Sequence, residues 1–310
     1  MTDIAVRVWR RRDEAEGVFS LELAPVDGGE LPSWTPGAHI DVAVGAAGVR
    51  QYSLCGDPAD RGRWRIAVLH EPNGRGGSAY LHRAAQPGSV LRVSVPRNNF
   101  ELVGSDRYVF LAGGIGITPI LPMVAAAAAA GARWSLYYGG RTKGHMAFAD
   151  AIAERYPRAK LLPQDEHGLL PLEEIFTGLG ETAVYCCGPE PLLAAAEAEG
   201  ARREVPVHVE RFVPRKLQFA PNEPFEVRLA ASGKTFRIGA NQSIADVLES
   251  AGIGIVTSCR EGTCGSCETA VLGGDIEHRD ELLTDEERAR GDTMMLCVSR
   301  ARSGPLVLDL

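Results

Sequence analysis

Four cysteines constrain this chain more than any other feature: Cys259, Cys264 and Cys267 fall in a C-x4-C-x2-C run, and a distant fourth follows at Cys297. That spacing is the one by which plant-type ferredoxins hold a [2Fe-2S] cluster. The loop reads Ser258-Cys-Arg-Glu-Gly-Thr-Cys-Gly-Ser-Cys267, and its small residues let backbone curl tightly with amide N–H groups directed at sulfur. A structural zinc site is the alternative, although zinc ribbons usually present two C-x2-C pairs and here one arm is a lone cysteine. Disulfides fit less well, because three thiols crowd one loop.

The chain has 310 residues, room for two or three domains. A net charge of −7 argues against general nucleic-acid binding. Acidic stretches around Asp275–Glu281 and Asp285–Glu287 are either solvated faces or a surface for a basic partner. The start, Met1-Thr-Asp3, lacks a basic region followed by an apolar one, so the expected location is cytoplasmic. The alanine run Ala125–Ala130 reads as the continuation of a helix ending at Gly131, too short for a membrane span.

Three kinds of pattern follow one another. Residues 1–103 carry short alternating runs (4–8, 18–23, 39–44, 65–69 and 90–95) separated by Gly and Pro, which predicts a small antiparallel β-barrel. Residues 104–213 alternate short apolar strands with helices, which predicts an α/β domain with a parallel sheet and a ligand at the carboxyl ends of its strands. Prolines at 214, 221 and 224 mark an expected linker over 214–224. Residues 225–310 offer a hairpin around Ser232-Gly233 and a capping box, Ser243 to Asp246, before a helix closed by Gly252. With the cysteine loop, this predicts a β-grasp ferredoxin module.

Two further motifs point to redox cofactors. Arg50-Gln-Tyr-Ser-Leu54 places a cation, a phenol and a hydroxyl on one strand end, the combination a flavin ring and phosphate require. Gly74-Arg-Gly-Gly-Ser78 precedes a helix whose first N–H groups, with Arg75, would cradle a phosphate. Gly113-Gly-Ile-Gly-Ile-Thr-Pro119 is not a G-x-G-x-x-G fingerprint, since Pro119 stands where the third glycine would be. Thr118 as N-cap and Pro119 as first helical residue would still leave a helix N-terminus open to a pyrophosphate. Cys187-Gly-Pro189 ends the last apolar strand of the segment, where a nicotinamide would sit; hydride transfer needs oriented stacking and no acid–base dyad.

Taken in order, Arg50–Leu54, Gly74–Ser78, Pro96-Arg-Asn-Asn-Phe100, Gly113–Pro119, Cys187–Pro189 and the four cysteines resemble the phthalate dioxygenase reductase family, which includes vanillate O-demethylase reductase subunits. The resemblance covers essentially the whole chain. It implies FMN rather than FAD, NADH as donor in preference to NADPH, and a Rieske-type oxygenase as acceptor. Carried over, Arg50, Tyr52, Ser53 and Leu54 would meet the flavin. Arg75, Gly76, Gly77 and Ser78 would hold its phosphate. Gly114, Gly116, Thr118 and Pro119 would line the pyrophosphate path, with Cys187, Gly188 and Pro189 facing the nicotinamide. Ser53 and Cys187 are the candidates nearest the reacting atoms. Arg141 is placed on the adenosine side, where Asp165 would favour a free ribose hydroxyl and Arg141 a 2′-phosphate. Phe212 resembles the family's aromatic near the flavin, and a core phenylalanine is the alternative.

Cys55 and Cys186 read as small buried side chains, and the seven histidines show no metal-ligand spacing. The expected protein is therefore an NADH-dependent reductase, a monomer, passing single electrons through flavin and cluster to an oxygenase or O-demethylase. A cytochrome P450 or another acceptor, and a non-enzymatic iron–sulfur sensor, are the other classes. The oxygenase's substrate belongs to another polypeptide and is not written in this one.

Overall fold

The computed structural model describes residues 3–215 and 219–310, so Lys216, Leu217 and Gln218 of the expected linker lie outside the described residues. The chain divides into two compact units, residues 1–211 and 212–310.

The first unit begins with β1 (Asp3–Ala15), β2 (Val18–Pro25), β3 (His39–Ala43), β4 (Val49–Ser53), β5 (Trp64–Leu69), α1 (Gly77–Ala84) and β6 (Val90–Ser94). The strands form one sheet in the order β4-β3-β6-β1-β2-β5. A bridge between Leu54 and Ile66, just past β4 and on β5, joins the two edge strands and closes the barrel. Alternation drives the closure: Leu21, Leu23, Ile40, Leu54, Trp64 and Ile66 all point inward and are fully buried. Burial of each stabilises the barrel by about 1.5–3 kcal/mol.

The same unit continues with β7 (Arg107–Gly113), α2 (Ile117–Ala129), β8 (Arg133–Gly140), α3 (Ala149–Arg155), β9 (Lys160–Pro163), α4 (Gln164–His167), α5 (Leu172–Ile175), β10 (Ala183–Cys187), α6 (Glu190–Arg202) and β11 (Val207–Glu210). All five strands are parallel, in the order β11-β10-β7-β8-β9. Both faces are covered. Phe110 and Ala112 pack with Ile117, Ile120, Met123, Val124 and Ala127 of α2, whose spacing gives one apolar helix face. Val109 and Leu111, pointing the other way, pack with Ile175, Leu193 and Ala196. The chain runs outward from β7 through β8 and β9, then returns to lay β10 and β11 on the opposite side. That reversal between β7 and β10 is a switch point, where open α/β sheets bind ligands.

The second unit holds β12 (Phe225–Leu229), β13 (Thr235–Ile238), α7 (Ile244–Ser250), β14 (Glu268–Glu277), α8 (Asp285–Arg290), β15 (Thr293–Met295) and β16 (Arg300–Leu308). Its sheet order is β13-β12-β16-β14-β15, with β12 and β16 parallel and the remaining pairs antiparallel. The expected capping box is present: Ser243 Oγ accepts from Asp246 N, and the Asp246 carboxylate accepts from Ser243 N. Ile244, Ala245 and Leu248 of α7 fill the core beneath the sheet, giving the β-grasp arrangement. Among the described residues no helix is long and apolar enough to cross a membrane.

Candidate functional site

In the barrel, Arg50 and the glycine loop before α1 are one structure. Arg50 donates to the carbonyls of Ala47 (2.9 Å), Val49 (2.8 Å) and Arg75 (2.9 Å). A Cβ on Gly77 would lie 2.5 Å from Arg50 Cγ, so glycine there is what lets the arginine stem cross the helix start. Gly76 has φ +82°, a conformation that favours glycine, and turns the chain into α1. No side chain caps α1 and no acidic residue occupies its first turn, which keeps its N–H groups suited to a phosphate. The Ser78 hydroxyl accepts from Glu71 N at 3.0 Å, tying the loop to the end of β5. On β4, burial pushes the half-buried Tyr52 phenol up to about 12 against the opposing effect of Arg50, so its ring stays neutral. Ser53 is buried, and Leu54 points into the barrel core with its N–H committed to Ala38 O.

At the switch point the motifs 113–119 and 187–189 are pressed together. A Cβ on Gly116 would lie 2.2 Å from the Cys187 carbonyl oxygen, and one on Gly113 would lie 2.7 Å from Pro189 Cδ. Only glycine permits that approach. The Tyr138 hydroxyl, reaching Gly114 O at 3.1 Å, holds the loop from below. The structure corrects one expectation here. Helix α2 starts at Ile117, after a 3-10 turn over Gly114–Gly116, and Gly116 is its N-cap. Thr118 is inside the helix and its hydroxyl donates back to Ile115 O at 2.9 Å, the bond a threonine makes within a helix. Pro119 is then the third helical residue, still in the first turn where its missing N–H costs nothing. With no side-chain cap and no acidic residue in that turn, the helix start remains open to an anion.

Arg141 and Asp165 meet beyond the carboxyl ends of β8 and β9, where Asp165 N donates to Arg141 O at 3.2 Å and both side chains are exposed. Phe212 opens the second unit and is 41% exposed. It is therefore not a core phenylalanine.

One residue escaped the sequence reading. The parallel register sets Glu210, the last residue of β11, beside Cys187 on β10. The Cys187 thiol lies 3.9 Å from Glu210 Oε2, and the Ser53 hydroxyl is also within hydrogen-bonding reach of that carboxyl. Enclosure by protein pushes the Glu210 carboxyl up to about 8, although Ser53 and Cys187 pull the other way. Burial, then Glu210, raises the Cys187 thiol well above its ordinary value, so it is a neutral S–H and not a nucleophile. Three distant strands thus bring Ser53, Cys187 and Glu210 to one point. Arg211 next door is clamped to Glu190 (3.2 Å) and Glu197 of α6, which fixes the end of β11. Cys55 and Cys186 are buried with thiols pushed up to about 11 and 12 by burial, in keeping with a packing role.

In the second unit the four cysteines of the motif converge. Cys259 hydrogen-bonds to Cys264 and Cys297, and Cys267 to Cys297. Hydrogen bonds from its neighbours hold the Cys259 thiol far below the ordinary range. Backbone N–H groups of Glu261 and Ser266 donate to the sulfurs of Cys259 (3.3 Å) and Cys264 (3.4 Å). Cys259 and Cys297 each contact two of the other thiols, so the four sulfurs form one linked group. Arg260 takes φ +57°, strained for a non-glycine residue. Its guanidinium binds Asp246 (2.5 Å) and Glu249 on α7, which holds the loop in that shape. Cys264 and Cys267 are buried while Cys259 and Cys297 are half-buried, so the site has an outward edge. Four thiols supported by N–H donors fit a [2Fe-2S] cluster.

Residues 227–302, which contain all four, match the family described as 2Fe-2S iron-sulfur cluster binding domain. Over its full length the chain is 41% identical to the phenoxybenzoate dioxygenase subunit beta of Ectopseudomonas oleovorans, covering 98% of that protein. It is 40% identical to the vanillate O-demethylase oxidoreductase of Pseudomonas putida, over 97% of this chain and 98% of the relative. Among solved structures it is similar to a type IV self-sufficient cytochrome P450 monooxygenase (TM-score 0.92, 41% identity), covering 99% of this chain but only 41% of that longer protein. It is similar along 100% of its length to phthalate dioxygenase reductase, whose structure is described as modular for electron transfer from pyridine nucleotides to [2Fe-2S] (TM-score 0.72, 38% identity, 98% of that chain). Matched from end to end at this identity, the chain belongs to the phthalate dioxygenase reductase family.

Proposed function

We propose that this protein is the NADH-dependent reductase of an oxygenase system, with FMN in the barrel (1–103), NADH on the parallel-sheet domain (104–213), a connecting segment (214–224) and a [2Fe-2S] cluster in the ferredoxin domain (225–310). The observation that carries the reading is the convergence of Ser53, Cys187 and Glu210 at the switch point, between an uncapped phosphate cradle and an uncapped helix α2. When bound, the flavin accepts hydride and the cluster moves single electrons. Arg50, Arg75, Gly76, Gly77 and Ser78 hold the flavin phosphate, and Tyr52 offers a neutral aromatic face. Gly114, Gly116, Thr118 and Pro119 line the pyrophosphate path by close approach of backbone. Cys187, Gly188 and Pro189 present a wall to the nicotinamide.

Ser53, Cys187 and Glu210 exclude water from the junction and fix its polarity. Below about pH 8 the Glu210 carboxyl carries a proton, so the junction adds no negative charge beside an incoming hydride. Arg141 and Asp165 take the adenosine ribose, and the Asp165 carboxylate favours NADH over NADPH. Cys259, Cys264, Cys267 and Cys297 hold the cluster. The acceptor is a Rieske-type oxygenase or O-demethylase, and the reductase acts as a cytoplasmic monomer.

A second acceptor has its own support, since nearly the whole chain overlays part of a self-sufficient P450. The test mixes FMN- and cluster-loaded protein with NADH and, separately, a Rieske-type aromatic oxygenase or a P450 haem protein. Substrate-dependent NADH loss with the oxygenase alone supports the proposal. Coupling to the haem protein alone would replace that partner, and oxidation of NADH with neither flavin nor cluster reduced would end the reading.

A further inference from the structure

The second unit contains a single histidine, His278, between β14 and α8. Its side chain is only 8% exposed. Neither ring nitrogen makes a hydrogen bond of standard geometry, and the same is true of Asp280 Oδ2 and Arg288 Nε. Four buried polar atoms short of a standard hydrogen bond in one place are unusual, since an unsatisfied buried polar group costs about 1–3 kcal/mol. His278 Nδ1 stands 3.8 Å from Asp280 Oδ2, and an Arg288 nitrogen 3.8 Å from Asp280 Oδ1. These spacings are too long for direct bonds, yet the charges feel one another strongly in a buried setting.

This cluster lies directly behind the cysteine loop. Glu281 N donates to Gly262 O at 2.9 Å, midway between Cys259 and Cys264. A Cβ on Gly262 would lie 3.0 Å from Asp280 Cα. Arg279 N donates to Ser299 Oγ at 3.2 Å, near Cys297. Asp280 itself is anchored: Oδ1 accepts from Leu282 N (3.0 Å) and Leu283 N (2.8 Å), and its carbonyl accepts from Arg288 at 2.7 Å. The segment 278–281 therefore braces both arms of the cysteine motif.

The charges around His278 are Asp280 on its own segment, Arg288 on α8 and Arg302 on β16. Neighbouring Arg279 is bound to Glu277, and Glu281 to Arg215 at 2.9 Å. Asp280 offsets one of the two arginines, so the site carries no excess negative charge while the imidazole is neutral. Burial holds His278 below its ordinary value, with the charges of Arg288 and Arg302 acting the same way, and Asp280 and a hydrogen bond to the Arg288 backbone acting against. An added electron on the sulfurs upsets that balance. Metal-bound thiols hold no proton, and imidazole is the side chain whose ordinary titration falls between about pH 5 and 8.

We propose that His278 is the redox-linked proton site of the iron–sulfur unit. One electron entering the cluster is accompanied by partial uptake of one proton from solvent on the His278 imidazole; no covalent bond breaks. The inference rests on the reading that the four cysteines hold a [2Fe-2S] cluster. It makes His278 a positioning group for charge, remote from the metal itself.

The test is the midpoint potential of the cluster from about pH 5 to 9, followed by electron paramagnetic resonance in the full-length, FMN- and cluster-loaded protein. The expected potential falls as pH rises through the window where His278 titrates and is flat above it, corresponding to about threefold or greater tightening of proton binding on reduction. H278N and H278Q should both give flat profiles with an unchanged resonance signal. Two isosteric replacements are used so that one that folds poorly does not decide the matter, and the wild-type profile stands on its own. A flat wild-type profile in cluster-loaded protein would overturn the proposal alone, as would a slope retained in either variant. Wild-type protein that never takes up a cluster would overturn the parent reading as well.

Discussion

The cysteine loop and the proposed flavin–nicotinamide junction are built in opposite ways. Three of the four thiols come from one short run, and the loop's shape is held by local glycines at 262 and 265 and by Arg260 reaching α7. The junction draws Ser53 from β4, Cys187 from β10 and Glu210 from β11, segments far apart in sequence and joined only by the fold. A site of the first kind fails when one ligand is lost. One of the second kind fails when strand register or loop approach shifts.

The largest effect is expected from C264S. Loss of one thiolate should abolish the cluster's visible absorbance and cut electron delivery to a one-electron protein acceptor by about 100-fold or more. NADH-driven flavin reduction should persist, because the junction belongs to the other unit. Failure of both together would break the contrast between a local and an assembled site.

G116A is the matching test on the assembled side. Its Cβ would meet the Cys187 backbone, which cannot give way as a flexible side-chain tip can. Chemical denaturation of the first unit should show a loss of about 3 kcal/mol, with the cluster signal intact.

Glu210 sharpens the comparison through pH. Its folded value is raised from 4.5 to about 8, so the native state binds the proton more tightly than the unfolded chain. The stability this gives is fully present below about pH 4.5 and is lost as pH rises through about 8. E210Q should therefore gain on the wild type by about 4 kcal/mol between pH 5 and 9 in unfolding experiments. NADH oxidation by the wild type should show a break near pH 8 that E210Q lacks; a break that survives would assign it elsewhere.

R260A should have the smallest effect. Its ion pairs with Asp246 and Glu249 are surface-exposed, and removing them should cost less than about 1 kcal/mol. The change should read out as faster cluster loss to a chelator, with little shift in unfolding.

The same contrast explains what the sequence disclosed. The cysteine spacing, the Ser243–Asp246 capping box and the barrel strands are local patterns, and each stands where its residues predict. Thr118 misled because Thr-Pro resembles a helix start, while the true start was set two residues earlier by a 3-10 turn that has no strong sequence signature. Glu210 was hidden for a different reason. Val207-His-Val-Glu210 is a short strand with no fully buried residue, and its carboxylate acquires meaning only once parallel pairing sets it beside Cys187. The order of β10 and β11 relative to β7 held that information. A strand directly after α6, read as the partner of the Cys187 strand, was the one signal that pointed there.

The most direct test of the account is an anaerobic NADH titration of the purified, cofactor-loaded protein, followed by visible absorbance and electron paramagnetic resonance. The account predicts flavin bleaching together with a rhombic reduced [2Fe-2S] signal, both complete at about 1.5 NADH per protein, since the flavin takes two electrons and the cluster one. Flavin that bleaches while the cluster stays oxidised, or a loaded protein that ignores NADH altogether, would contradict an internal path from nicotinamide to iron–sulfur.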